Sequence, residues 1–228
     1  MQTVRIIINT AKAYYEELLF FLMTGGILFL TALLVIPIPF TLVGVWMIAH
    51  RAVRGLGVNW KLYWETVKEY GMRSLQLTLV LALGYGLLAA NVWFYTTPNV
   101  VSIPSSVLAW IQPIVFIIGV IWMGISFYMY AFLVELEEPK LLAILRASLS
   151  LTFLKPLPTL MLLIVTLLLT ALSIAVPILL FALPGFIATL SITAVRTLIT
   201  AVREKYGIGE EENQSTDQTD SSELMTND

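Results

Sequence analysis

The chain has 228 residues, 58% of them apolar and 12% charged, with a mean hydropathy of +0.87, against roughly 25% charged in an average soluble domain. This composition excludes an ordinary water-soluble domain and places the chain in a bilayer, while a formal charge of −2 gives no footprint for nucleic acid, and no such partner is expected. Cysteine is absent, which excludes disulfides, thiolate metal sites and a thiol nucleophile.

The opening segment, MQTVRIIINTAKAYYEELLFF, has no small-residue cleavage site after its apolar run and reads as a retained interfacial segment. Three stretches then carry no Asp, Glu, Lys or Arg: residues 18–50, 74–134 and 156–195. A single helix through the first would run about 50 Å, well beyond a hydrocarbon core of about 30 Å, so each stretch must turn back. Prolines mark the bends: Pro37 and Pro39; Pro98, Asn99 and Pro104; Pro177 and Pro184-Gly185. The expected architecture is all-α and polytopic, with six crossings near 18–36, 40–54, 74–96, 106–134, 156–180 and 185–203, arranged as three hairpins joined by two cytoplasmic amphipathic helices.

Basic residues lie in the N-terminal segment, in the 51–73 and 140–155 connections and in the last helix and tail, and the hairpin tips carry none. The positive-inside rule then puts both termini and both connections in the cytoplasm. The final stretch, GIGEEENQSTDQTDSSELMTND, holds seven acids and no base. It reads as a disordered acidic tail over residues 207–228, behind a single helical membrane domain over 1–206 that carries 13 basic and 8 acidic residues.

In the first connection Trp60, Tyr63, Trp64, Val67 and Tyr70 share one helical face, with Lys61, Glu65, Lys68 and Arg73 largely opposite. Such an aromatic face suits a headgroup boundary or a partner protein, which makes Trp60, Tyr63, Trp64 and Tyr70 the candidate interface. The second connection, EEPKLLAILRASLSLTFLKP, is more apolar and is expected to wedge beneath the bundle. Two rows of small residues at i+4 spacing are expected to let helices approach closely: Ser74, Thr78, Ala82, Gly86 and Ala90, then Gly185, Thr189, Thr193, Thr197 and Ala201.

An internal echo links two short segments. Pro39, Ala49 and Arg51 superpose on Pro184, Ala194 and Arg196 at a shift of 145 residues. Each runs from a proline to an arginine over about 18 Å, so His50, Arg51, Arg54 and Arg196 read as anchors at the cytoplasmic membrane edge. His50 is the only histidine, so no multi-histidine metal site is available, and no metal or other cofactor is expected. Glu135, Glu137 and Glu138 cluster where the fourth crossing ends, and charge at a helix exit reads as solvated. Neither a nucleotide-binding loop nor a mid-membrane charge is present, so no catalytic residue is assigned.

Four segments in order, IPIPFTLVGVWMIAHRAVRG, NWKLYWETVKEYGMRSLQL with its WxxYWxxxKxY spacing, FLVELEEPKLLAILRASLSLTFLKPLPTLMLL and LPGFIATLSITAVRTLI, resemble the YesL-like family of small bacterial membrane proteins over roughly residues 18–203. That resemblance implies a protein of the bacterial cytoplasmic membrane, of undefined activity, often encoded near carbohydrate ABC importers and glycan-degrading enzymes. It carries over no catalytic residue. The leading expectation is a non-enzymatic accessory component that meets a partner such as an importer permease. The alternatives are a transport-competent subunit related to ABC permeases, because the second connection ends in Leu-Pro like a coupling helix, and an intramembrane enzyme built around His50.

Overall fold

A computed structural model describes residues 2–32, 38–97, 105–136, 139–176 and 178–206. Among these the chain is helical throughout: α1 (Gln2–Glu16), α2 (Leu18–Ala32), α3 (Ile38–Val53), α4 (Trp60–Thr96), α5 (Ser105–Glu135), α6 (Leu141–Leu154), α7 (Pro156–Ala175) and α8 (Ile178–Tyr206). The protein is an all-α polytopic membrane protein. Helices α4, α5, α7 and α8 contain stretches long and apolar enough to cross a bilayer. Helices α2 and α3, at 15 and 16 residues, are apolar but shorter than the roughly 20 residues a full crossing takes. Pro37, Pro98, Asn99, Pro104, Pro177, Glu137, Glu138 and the acidic tail 207–228 lie outside the described residues.

Helix α8 is the axis of the bundle, packing against α1, α2, α3, α5 and α7. Ala188, Leu190, Ile192, Ala194, Val195 and Leu198 are fully buried along it. Its closest approach is to α2, where Gly25 lies against the Phe181 carbonyl, so any Cβ at Gly25 would overlap backbone. Gly185 in turn lies under the Phe21 ring. Pro184 was expected at the last hairpin tip but stands inside α8, which already begins at Ile178. A proline withholds one helix hydrogen bond, yet packed neighbours keep such a helix continuous in a membrane protein. Here Tyr14 donates to the Ala182 carbonyl at 2.9 Å, and α2 closes on Phe181.

The first connection also differs from expectation. Residues 60–73 and the crossing that follows form one unbroken helix, α4, of 37 residues and about 55 Å. Asn59 starts it, its side-chain oxygen accepting from Leu62 N at 2.7 Å. The first half of α4 folds back on α3: Gly44 admits the Tyr63 ring, Gly71 admits the Phe40 ring, and Ser74 donates to the Pro39 carbonyl. The second connection forms α6 as expected, with Ile144, Ser148, Leu151 and Thr152 buried.

The echo between α3 and α8 is a packing register. Trp46 Nε1 donates to Ser191 Oγ at 3.0 Å, and these two residues are themselves 145 apart. Further along both segments Arg54 and Arg196 meet on one carboxylate, Glu135, so the two run side by side in the same direction.

Candidate functional site

The end of α3 builds a fixed turn. Leu56 N donates to Arg51 O at 3.0 Å and Gly55 N to Ala52 O at 3.0 Å, around Gly55 at φ +66. This pair of bonds closing on a left-handed glycine is the Schellman arrangement, and it leaves Arg54 as the residue that caps α3. Arg51 is spent locally, with Nε donating to Gly57 O at 3.2 Å.

Arg54, by contrast, reaches across to α5. Its Nη2 lies 2.9 Å from Glu135 Oε2, His50 Nδ1 lies 3.0 Å from the same oxygen, and Arg196 Nε lies 3.1 Å from Oε1. The His50 contact has ion-pair distance without the alignment of a hydrogen bond. Glu135 and His50 have side chains only 11% and 10% exposed, whereas those of Arg54 and Arg196 keep about two fifths of their surface in solvent. Glu135 ends α5, where the helix dipole already presents negative charge. A half-sequestered carboxylate at that position needs cationic donors, and α3 and α8 supply them. The result is a clamp in which one acid at the end of α5 ties the end of α3 to the body of α8.

Of the expected membrane-edge anchors, His50, Arg54 and Arg196 thus converge on Glu135, while Arg51 does not. Glu135 itself is held by ion pairs, in contrast to the solvated helix exit expected of it. Among the described residues no three His, Cys, Asp or Glu side chains come together.

Beside the clamp, α1, α3 and α8 enclose a polar cleft of about 420 Å³, lined by Lys12, Glu16, Arg54, Thr193, Arg196 and Thr197 among others. Helix α1 is fastened over it by its buried face. Ile6 and Thr10 are fully buried, and the Tyr14 ring stacks on Phe21 at 4.9 Å. Burial pushes the Tyr14 phenol up to about 12, which keeps it protonated as the donor to Ala182. A second cavity, of about 450 Å³ between α4 and α5, is almost wholly apolar and opens among exposed hydrophobic side chains.

The aromatic candidates divide. Tyr63 is fully buried beside Gly44 and offers a partner no surface, because the face expected to lie outward packs onto α3. Trp60 and Trp64 remain 37% and 50% exposed. Each meets the Tyr63 ring edge-on, at 6.0 and 5.2 Å, and Trp60 also lies 4.7 Å from Phe20. Tyr70 is half-buried against the core.

The packing rows divide as well. Gly185, Thr189 and Thr193 are buried in α8 as expected. Ala82, Gly86 and Ala90 are exposed, and nothing lies within 4 Å of a Cβ placed on Gly86. An i+4 row advances about 40° per step, so one that faces inward at Ser74 has turned away within two or three steps. The face that does pack alternates steps of three and four through Ser74, Leu77, Leu81 and Gly84, and Gly84 receives the Trp122 ring.

Comparison of the chain with known families, curated proteins and solved structures finds no match.

Proposed function

We propose that the protein is a non-enzymatic component of the bacterial cytoplasmic membrane, with both termini in the cytoplasm, that binds a partner membrane protein in support of carbohydrate uptake. The observation that carries the reading is the Trp60–Tyr63–Trp64 trio. Two indoles stand exposed at the start of α4, each held edge-on by a tyrosine that is itself locked beneath them. Exposed tryptophans with little freedom left to lose are the side chains that dominate protein interfaces, since ordering costs fall when the contact surface is rigid beforehand.

The clamp supports the same reading. Both oxygens of Glu135 are engaged by groups on α3 and α8, which suits it to holding the end of the bundle rigid rather than to exchanging protons with a substrate. The charges of the opening segment and the two connections, and the ordered resemblance to YesL-like proteins, support the orientation and the link to sugar import.

The test is co-purification from detergent with the permease or ATPase of a carbohydrate importer encoded beside the gene. Wild type should retain the partner, and Trp60→Ala with Trp64→Ala should lose it while the protein stays folded and membrane-inserted. Equal retention by the double variant would overturn the reading. Sugar flux into liposomes containing the purified protein alone would favour a transporter instead.

A further inference from the structure

We propose that the polar cleft between α1, α3 and α8 binds a phosphate-bearing anion, either the headgroup phosphate of an acidic lipid or free phosphate. The lining brings three cationic side chains, Lys12, Arg54 and Arg196, to one cavity together with a single carboxylate, Glu16. Glu135 orients both guanidiniums, Arg54 through Nη2 and Arg196 through Nε, and offsets one of their two charges, so the cleft with Lys12 and Glu16 keeps a net positive charge. An arginine carries five N–H donors in a fixed plane, so each keeps donors beyond the one spent on Glu135, in an orientation fixed before any ligand arrives.

A second, independent feature points to a ligand. Thr193 lines the cleft, is only 4% exposed, and its Oγ1 has no hydrogen-bond partner. Several other threonines of the bundle donate to the carbonyl four residues back, Thr189 to Gly185 O at 2.8 Å among them, whereas Thr10, outside the cleft lining, shares the missing partner. A buried hydroxyl without a partner is costly unless something else accepts from it. Thr193 Oγ1 has almost no accessible surface as it stands, and a turn of the side chain about its Cα–Cβ bond would bring it to an anion seated between Lys12 and Arg196.

The volume, about 420 Å³, accommodates a headgroup-sized anion. The chemistry favours phosphate because planar guanidinium donors match its oxygens two at a time and a lysine adds a point charge. Glu16 sits where it opposes binding, which gives the cleft a built-in internal control.

The experiment uses the full chain purified in a neutral detergent, with two probes. One is inorganic phosphate, followed by calorimetry. The other is mixed micelles containing phosphatidylglycerol or, as the control, phosphatidylcholine, followed by thermal unfolding and by native mass spectrometry of retained lipid. Saturable binding of phosphatidylglycerol without binding of inorganic phosphate assigns the headgroup; saturable binding of inorganic phosphate that phosphatidylglycerol does not displace assigns the free ion. In either case Lys12→Gln should weaken binding about tenfold and Thr193→Val several-fold, by loss of one charge-assisted and one neutral hydrogen bond. Glu16→Gln should tighten it a few-fold, a gain that a folding defect cannot mimic. Lys12 and Glu16 are both exposed, so neither substitution threatens the fold. Absence of saturable binding to both probes, or binding indifferent to all three substitutions, would overturn the proposal.

Discussion

Helices α4 and α8 each carry a row of small residues at i+4 spacing, and each contains a stretch able to cross a membrane, yet they live in different surroundings. About 50% of the apolar stretch of α8 is buried within the protein, against 6% for α4. The difference lies in neighbours, not in composition. Helix α8 packs against α1, α2, α3, α5 and α7, so its row stays in protein from Gly185 to Thr193 as it winds around the axis. Helix α4 is flanked by α3 only along its first half, and its row winds out into the surroundings by Ala82. A small-residue row is therefore a packing signal only where the helix has neighbours all round. On a peripheral helix the packing face follows the 3–4 alternation instead.

The sharpest way to break this comparison is Gly25→Ala. Its new Cβ would meet backbone of α8, which cannot move aside as a side chain can, and a loss of about 3 kcal/mol or more is expected, read as a lower midpoint in thermal or SDS unfolding. Next is Glu135→Gln, which leaves two guanidiniums and His50 crowded without their counter-charge. It should cost about 2–3 kcal/mol, tempered by the solvent that reaches both arginines. Ser191→Ala orphans the buried Trp46 indole N–H and should cost about 1–2 kcal/mol, visible also as a shift in tryptophan emission. Smallest and opposite in sign is Gly86→Ala on α4. With open space around it, the added methyl should leave stability unchanged or raise it by up to about 1 kcal/mol through reduced freedom of the unfolded chain. A loss at Gly86 as large as that at Gly25 would erase the distinction between the two helices.

Much of the fold was legible in the sequence because bilayers impose length and charge rules that survive without tertiary detail. The long uncharged stretches, the second connection helix and the packed row of α8 all follow from such rules. What escaped is what depends on who sits beside whom. Pro184 is a poor helix residue by local rules, and only α1 and α2 at its flank show why α8 runs through it. The first connection fused with its crossing because nothing at Gly71 interrupts the helix, and Phe40 fills the space a side chain would have taken. Glu135 and Arg54 are 81 residues apart, so no local pattern joins them. One signal was available: Glu135 is the first of three acids after the fourth crossing, at the same expected depth as His50, Arg54 and Arg196. In the aromatic face, periodicity grouped Trp60, Tyr63, Trp64 and Tyr70, and only the fold separated the buried tyrosine from the exposed indoles.

The claim that one carboxylate ties α8 to its neighbours is tested most directly by a double-mutant cycle in the purified full-length protein, comparing Glu135→Gln, Arg196→Gln and the pair by unfolding in detergent. The clamp predicts that the two losses do not add, with a coupling of about 1–2 kcal/mol, because the Arg196–Glu135 attraction is lost in either single variant and cannot be lost twice. Strictly additive losses would contradict it, and Glu135 would then be an ordinary solvated helix end.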